Sequence, residues 1–142
     1  MPKLEKSCGA IIYYKKENKF YFLIQKHQNG GHWAFAKGHT ENNESEIQTA
    51  LREIKEETHL TNIKLNTDFR ATTTYKPKKD VLKKVVYFMG KINVTQLRQV
   101  KKQISEISEI KWLPYSLAVK LITYKDDKNI LEKAFNYLKN KK

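Results

Sequence analysis

Residues 38–57 read GHTENNESEIQTALREIKEE, and this stretch decides which fold and which site the chain can build. Gly38 is followed after five residues by Glu44, and seven further residues lead to the charged run at 52–57. Four apolar residues recur at three- and four-residue intervals, the period of a helix with one buried face. The stretch therefore predicts a helix from about 43 to 58 that packs on a core through Ile47, Ala50, Leu51 and Ile54.

Three glutamates of this helix, Glu53, Glu56 and Glu57, are three and four residues apart, so their carboxylates share one flank. Carboxylates this close repel one another, and at least one would have a raised pKa if left alone. A divalent cation removes the conflict, and Mg²⁺ prefers oxygen ligands of this kind. Arg52 precedes Glu56 by four residues and can pair with a carboxylate, which would hold the cluster in one arrangement.

A glutamate-rich helix that simply faces water is the ordinary alternative. The upstream loop at a fixed distance argues against it. Gly38 suits a backbone turn that comes close to a ligand, and Glu44 lies near the helix start, where negative charge is favoured. The pattern as a whole predicts a metal site.

The length of 142 residues fits a single domain spanning 1–142. The 39% hydrophobic content, with eight tyrosines and six phenylalanines, excludes a disordered chain. No apolar run approaches the ~20 residues that cross a bilayer, and the first residues do not resemble a signal peptide. The single cysteine, Cys8, suits a reducing compartment and a buried packing role. We expect a cytoplasmic protein with no membrane association.

The chain carries 28 Lys and Arg against 15 Asp and Glu, a net charge of +13. Such a surface attracts polyanions. The partner could be a small polyphosphate or a nucleic acid. A lysine-rich composition that has no binding role explains the net charge equally well.

The remaining pattern predicts a mixed sheet covered by helices. A hairpin connection is expected at 16–19, a loop at 28–31, a loop at 76–80 and an exposed connection at 94–105. Two helices should follow from Pro114. Strands are expected at 7–14, 20–25, 33–36, 63–75 (one or two strands), 85–92 and 109–113.

The spacing of Gly38, Glu44 and 52–57 resembles the Nudix box, the loop-helix signature of hydrolases that cleave nucleoside diphosphates linked to another group. The similarity extends over most of the chain, which resembles the diadenosine tetraphosphate hydrolases, or bis(5'-nucleosyl)-tetraphosphatases. It is carried by Gly9-Ala10-Ile11-Ile12, His32-Trp33, Lys37-Gly38-His39, Phe69 to Tyr75, Lys83 to Phe88, and Glu106 shortly before Trp112.

The resemblance implies an α+β fold with a mixed β-sheet sandwiched between helices (α/β/α). It implies Mg²⁺- or Mn²⁺-dependent, asymmetric cleavage of dinucleoside tetraphosphates into a nucleoside triphosphate and a monophosphate. We expect the chain to act on this small-molecule substrate as a monomer. An RNA 5'-triphosphate pyrophosphohydrolase remains an alternative within the same chemistry. A nucleotide- or RNA-binding module without turnover is the alternative of a different class.

The resemblance also assigns roles to residues. The metal would be held by Glu53, Glu56 and Glu57, with the carbonyl of Gly38 as a further ligand. One carboxylate must accept the proton of the attacking water. Glu56 or Glu57 is the expected base, and Glu106 is the candidate from a later loop.

Substrate contacts are expected both from residues next to Gly38 and from residues after the box helix. Lys37 and His39 flank the glycine and can donate to phosphate oxygens, as can Lys79 and Lys83. Tyr75 is the leading candidate to stack on a nucleotide base and Tyr124 the second, because aromatic faces bind bases. Trp33 and Trp112 are expected in the core.

Three positions depart from the family pattern. Ala36 stands where a proline is usual, Asn42-Asn43 replace a Pro-Gly pair, and His59 replaces the glycine that ends the helix. Asn43 tolerates a left-handed backbone, whereas His59 adopts it less readily. These changes affect turn geometry and stability and remove no carboxylate.

Overall fold

The computed structural model of the chain describes residues 3–103 and 106–141. Its elements, in chain order, are β1 (Lys3–Lys16), β2 (Lys19–His27), β3 (Trp33–Ala34), β4 (Ala36–His39), α1 (Glu46–Thr58), β5 (Lys64–Lys78), β6 (Val81–Lys91), a 3₁₀ helix (Val94–Gln99), β7 (Ile107–Pro114), α2 (Tyr115–Leu121) and α3 (Lys125–Asn140).

Within the described residues, seven strands form one mixed sheet. Five of them follow the order β3-β2-β1-β6-β5, and the other two, β4 and β7, pair with β1 and β2. The central strand β1 runs parallel to β6 and antiparallel to β2 and β4. β5 pairs with β6, and β7 pairs with β2, both antiparallel. The predicted mixed sheet is confirmed, and β1 brings the short strand β4 next to the start of α1.

Side chains of the central strands alternate between two cores, as the two-residue period of a strand requires. Cys8, Ala10 and Ile12 of β1 are buried on the face covered by α1, and Ile11 is buried on the face covered by α2 and α3. β2 divides its residues in the same way. The sheet is therefore sandwiched between helices, as expected, and the buried position of Cys8 is confirmed.

The box helix begins at Glu46, three residues later than predicted. Ser45 caps it, since its hydroxyl accepts from the Gln48 N–H at 3.1 Å and the Gln48 side chain accepts from the Ser45 N–H at 2.9 Å. Asn43, at φ 62°, occupies a left-handed turn that helix geometry does not allow. The helix ends at Thr58, and its capping residue His59 is also left-handed at φ 67°.

Of the four apolar residues that were predicted to pack on the core from this helix, only two are buried. Ala50 and Ile54 are fully buried, whereas Ile47 and Leu51 are 41% and 39% exposed. Two carboxylates, Glu53 and Glu57, share the buried face instead, at 8% and 3% exposure. Helical spacing places all of these residues near one side of the helix, and the neighbouring strands decide which of them are covered.

Several predicted connections need correction. Residues 76–78 continue β5, so the loop at 76–80 shrinks to the turn at 79–80. The segment at 33–36 forms two short strands rather than one. The connection at 94–105 contains the 3₁₀ helix and packs Leu97 and Val100 against the core on the α1 face, while its residues 104–105 lie outside the described part.

The C-terminal prediction of two helices from Pro114 is confirmed, with Pro114 as the residue that caps α2. Trp33 and Trp112 are half-buried and pack on opposite cores. None of the helices in residues 3–103 and 106–141 is both long and apolar enough to cross a bilayer.

Candidate active site

Glu57 is the most deeply buried carboxylate of the box and is held by two hydrogen bonds. Its Oε1 accepts from the Nε2 of Gln25 on β2 at 2.8 Å and from the backbone N–H of Lys37 on β4 at 3.0 Å. Burial raises the pKa of Glu57 to about 8, because desolvation outweighs these two donors. The fold thus holds this carboxylate in place at a cost in desolvation, which the nearby charge of Lys37 offsets only in part.

Gly38 lies in β4, paired with Cys8 of β1, and not in the loop that its sequence context predicted. A Cβ at position 38 would overlap the carboxylate of Glu53, so glycine is required here for space and not for backbone freedom. Burial, with the charge of Glu56 next, raises the pKa of Glu53 to about 7. The second buried carboxylate of the helix therefore lies directly against the β4 backbone.

Arg52 joins the helix to the segment before it. Its Nε and Nη2 donate to the two oxygens of Glu44 at 2.7 and 3.0 Å, and Nη2 also donates to the carbonyl of His39 at 2.8 Å. Hydrogen bonding from Arg52 lowers the pKa of Glu44 to about 2, so the pair stays charged. The bidentate contact holds the segment before α1 against the helix, and the bond to the His39 carbonyl joins α1 to the end of β4.

The remaining nitrogen of Arg52 lies between two other carboxylates. Nη1 is 3.2 Å from Oε1 of Glu56 and 3.5 Å from Oε1 of Glu53. The pairing of Arg52 with Glu56 that the four-residue spacing suggested is therefore present. Glu56 itself is exposed, in contrast to its two buried neighbours.

The three box glutamates do not meet at one point as they stand. Among the described residues, no three or more His, Cys, Asp or Glu side chains converge at metal-binding distance. Glu53 and Glu56 face Arg52, while one oxygen of Glu57 faces Gln25. The donor set nevertheless fits a hard divalent cation, because it is made of oxygens and two of its carboxylates are buried with a raised pKa.

Glu106 lies just before β7, in a segment whose Gln103 N–H donates to the backbone carbonyl of Glu57 at 3.1 Å. It is exposed, and its backbone is fixed by the Gln28 N–H, which donates to the Glu106 carbonyl at 2.7 Å. Its charge contributes to the raised pKa of Glu53. The sequence candidate from a later loop is thus close enough to act electrostatically on the box helix.

Three basic side chains border the carboxylates and are called the cationic group below: Lys37, His39 and Lys83. Nζ of Lys83 is 3.5 Å from Nε2 of His39. Burial and the nearby charge of Lys37 lower the pKa of Lys83 to about 8. Lys79 is exposed in the turn between β5 and β6. It does not line the cavity described next, and it hydrogen-bonds to none of the described site residues.

A cavity of about 500 Å³ opens beside this cationic group. Tyr75 and Tyr124, the two predicted stacking residues, both line it, together with Lys37. His32 forms a further wall, stacked on His27 with ring centroids 4.5 Å apart and tilted against Tyr124 at 5.5 Å. The volume suits a small ligand, and the walls are aromatic.

A family model described as NUDIX domain matches residues 3–134. The chain belongs to the Nudix family. The asymmetrical bis(5'-nucleosyl)-tetraphosphatase of Caenorhabditis elegans is 32% identical over 136 residues, covering 94% of this chain and 96% of that protein. The enzyme of the same name from Sus scrofa is 30% identical, covering 94% and 95%. The crystal structure of a C. elegans Ap4A hydrolase binary complex superposes with a TM-score of 0.88 at 30% identity, covering 96% of this chain and 99% of that one.

Three residues of the Nudix site escaped the sequence prediction. Gln25 ends an apolar strand, and its role depends on a contact with Glu57, 32 residues away. His32 entered only as part of the family resemblance. Asp127 lines the cavity, and a signal for it existed, since it precedes Ile130 and Leu131 by three and four residues and so belongs to the buried face of α3.

Replacing Gly38 of the Nudix box with Ala is expected to lower kcat at least about tenfold, because the new Cβ displaces the Glu53 carboxylate. The fold should survive, since the overlapped atoms are the end of a flexible side chain. Turnover and thermal unfolding of purified protein check both halves. An unchanged kcat would mean that the site does not depend on the position of Glu53.

Proposed function

We propose that this Nudix protein is a metal-dependent hydrolase that cleaves dinucleoside polyphosphates such as diadenosine tetraphosphate into ATP and AMP. The observation that carries the proposal is the joint position of Lys37. Its backbone N–H bonds Glu57, while its side chain lines the aromatic cavity. A nucleotide whose base occupies the cavity would therefore extend its phosphates toward the carboxylates.

The aromatic walls account for the nucleoside end of such a substrate. Tyr75 and Tyr124 offer faces on which a base can stack, and stacking contributes about 1–3 kcal/mol per base. Both side chains are exposed, Tyr75 to 43% and Tyr124 to 55%. Exposed aromatic rings beside a cavity favour a binding role over a packing role.

The cationic group accounts for the phosphate chain. Lys37, Lys83 and His39 lie together. Burial, with the charge of Lys37 next, lowers the pKa of Lys83, and a bound polyanion would favour its charged form. Lys79 stays a weaker candidate for a phosphate contact because of its exposed position in the turn.

The metal would be Mg²⁺ or Mn²⁺, held by Glu53 and Glu57 with the carbonyl of Gly38. Glu56 would be a further ligand that keeps one oxygen free to accept a proton. When bound, the metal neutralises phosphate charge and orients the attacking water. Arg52 would then keep its bonds to Glu44 and to the His39 carbonyl and so hold the helix against β4 while Glu53 and Glu56 bind the cation.

Among the carboxylates, Glu56 is the proposed general base. Glu57 has one oxygen bonded by two donors and is buried, and Glu53 is buried against Gly38. Glu56 is exposed to water and is kept in one place by Arg52. Glu106 is exposed too, but its carboxylate has no bonding partner within the described residues.

The direct test is to incubate purified protein with diadenosine tetraphosphate and Mg²⁺ and to identify the products by chromatography. The expected products are ATP and AMP in equal amounts. Running the reaction in ¹⁸O-labelled water and finding the label in one product identifies the phosphorus that is attacked. No release of ATP and AMP would reject the proposal.

The net charge of +13 supports a second substrate class, RNA with a 5'-triphosphate, by the same chemistry. Turnover of a triphosphorylated RNA and of the dinucleotide under the same salt concentration separates the two. Faster turnover of the RNA would replace the dinucleotide as the proposed substrate.

We also propose that the protein works as a monomer in the cytoplasm. Its single cysteine, Cys8, is buried and cannot link two copies by a disulfide bond without unfolding. Sedimentation at micromolar concentration, which distinguishes 16.8 kDa from twice that mass, tests the oligomeric state.

A further inference from the structure

A second cavity, of about 570 Å³, lies on the same face of the sheet as the aromatic cavity but at the opposite end of α3. Asp127 in the first turn of α3 borders the aromatic cavity, whereas Leu138 near the helix end borders the second one. A helix of this length extends about 24 Å, so the two cavities are separate. We call the second one the lysine cavity, after four residues that line it: Lys15, Lys64, Lys91 and Lys141.

An irregularity of β5 opens the lysine cavity. Between Asn66 and Ala71, β5 advances five residues (66 to 71) while its partner β6 advances two (89 to 87), so β5 bulges away from β6. Asn66 fastens the start of the bulge. Its amide nitrogen donates to the Tyr137 hydroxyl of α3 at 3.0 Å, and its amide oxygen accepts from the Asp68 N–H at 3.0 Å. The bulge that forms the cavity wall is therefore held by specific bonds.

Three of the lysines come from neighbouring strands and face the cavity from the sheet. Lys91 of β6 is paired with Lys64 of β5 on one side and with Tyr13 of β1 on the other. Lys15 follows Tyr13 by two residues and so lies on the same face of β1. Like charges directly opposite each other on two strands are destabilising. The sheet thus accepts an unfavourable concentration of positive charge at this point.

The protein leaves this charge without an acidic partner. Within the described part of the chain, none of the four lysines is in an ion pair, although Lys3, Lys6 and Lys111 each pair with a glutamate. Asp68 lines the same cavity, but it is exposed and lies beyond ion-pair distance of all four. A bound anion would balance the lysines, just as a cation would balance the carboxylates of the box helix.

The other walls of the lysine cavity are partly aromatic. The rings of Tyr13 and Phe20 meet edge to face with centroids 5.9 Å apart, and Nζ of Lys15 lies 5.5 Å from the centroid of Phe20. A cation over an aromatic face is held there by the ring. Lys15 is thereby kept at the cavity on the same side as Lys91.

We propose that the lysine cavity is a second binding site, separate from the Nudix site, for the phosphate chain of a small polyphosphate. Its volume is in the range of small-ligand sites. Lysine ammonium groups bind phosphate as point charges, and several of them match a ligand with several adjacent phosphates. Asp68 is the sole carboxylate among the described lining residues, so the cavity binds this ligand without the carboxylate cluster that a hydrolytic metal needs.

Solvated surface lysines are the competing explanation. All four lysines are exposed, and Lys141 follows the last turn of α3, where a positive charge is favoured by the helix dipole. Lysines with only that role would attract anions no better than other exposed lysines of this basic chain. Binding that depends on Lys64 and Lys91 in particular therefore separates the two explanations.

The test is calorimetric titration of the full chain with inorganic tripolyphosphate and, separately, with ATP, in metal-free buffer of fixed ionic strength. We expect the wild type to bind two molecules per chain, one at the cationic group and one in the lysine cavity. Lys64→Gln/Lys91→Gln should weaken one of the two by at least about tenfold, the usual loss for hydrogen bonds to charged groups. Lys83→Gln should weaken the other and leave the lysine cavity occupied.

The double variant should unfold at the same temperature as the wild type or higher, because it removes the repulsion between opposed lysines. Lys15→Gln, which leaves this strand pair untouched, should weaken the same binding event about threefold. Lys55→Gln/Lys133→Gln changes two exposed lysines that line neither cavity and is the matched control, with both sites retained.

A wild type that binds one molecule, lost in Lys83→Gln, overturns the inference, as does an equal loss in the control variant. Equal affinities for tripolyphosphate and ATP support recognition of the phosphates alone, and tighter binding of ATP supports a further contact of the nucleoside with Tyr13. Two molecules bound by a protein that hydrolyses no dinucleotide support the second site and reject the proposed function. Turnover by a protein that binds nothing in the lysine cavity does the reverse.

Discussion

Glu56→Gln is expected to lower kcat at least about 100-fold, the usual contribution of a general base, while KM for the dinucleotide changes little. The amide is close in shape to the carboxylate and keeps an oxygen beside Nη1 of Arg52. It cannot accept the proton of the attacking water. Steady-state kinetics with diadenosine tetraphosphate, with binding measured separately by calorimetry, check the two halves of this expectation.

Glu106→Gln is the comparison that decides between the two exposed carboxylates. A smaller loss than that of Glu56→Gln supports the assignment, and a larger loss transfers the role of base to Glu106. Glu132→Gln, on the exposed face of α3, removes the same charge and should leave kcat unchanged. An unchanged rate in Glu56→Gln would remove Glu56 from the mechanism.

The features that sequence predicts well are those set by local geometry. Helical spacing alone puts Glu53 and Glu57 on one flank, and the structure confirms the helix itself. The left-handed backbone expected to be tolerated at Asn43 is also present, at φ 62°. Such predictions succeed because the interval between residues fixes their relative direction, whatever the rest of the chain does.

The features that sequence predicts poorly depend on contacts between distant segments. Gly38 is needed because Glu53 packs against it, a fact that no property of residues 36–40 contains. Ile47 and Leu51 follow the same helical period as Ile54, yet they are largely exposed whereas Ile54 is fully buried. Periodicity identifies a face of a helix, and only the tertiary arrangement decides how wide its buried part is.

Polar residues in apolar positions carry the functional part of this fold. Gln25, Glu57 and Asp127 each occupy a place where packing alone would favour an apolar side chain. Stable folds break local rules chiefly at functional sites. The site could be located from its glutamates, but its partners Gln25 and Asp127 required the fold, because their meaning lies in what they face.

Glu57→Gln is expected to stabilise the metal-free protein by about 2 to 3 kcal/mol at neutral pH, or roughly 5–10 °C in Tm. The folded state raises the pKa of Glu57 to about 8 from an ordinary value of 4.5. Between these values the folded protein holds a proton that the unfolded chain has released, so the stability of the wild type falls as pH rises. The amide that replaces the carboxylate carries no charge and still offers an oxygen to Gln25.

The measurement is thermal unfolding in EDTA at a series of pH values from about 4 to 8, and a second series replaces EDTA with Mg²⁺. The advantage of Glu57→Gln over the wild type should vanish near pH 4.5 and grow toward pH 8, which is the sign that a raised carboxylate pKa requires. Mg²⁺ should stabilise the wild type, because the bound cation balances the negative charge of the Glu57 carboxylate. It should not stabilise the variant, whose amide has no charge to balance. Glu132→Gln is the control for loss of one exposed carboxylate. A variant that is less stable than the wild type at pH 8 in EDTA would show that Glu57 serves the fold and not a cation.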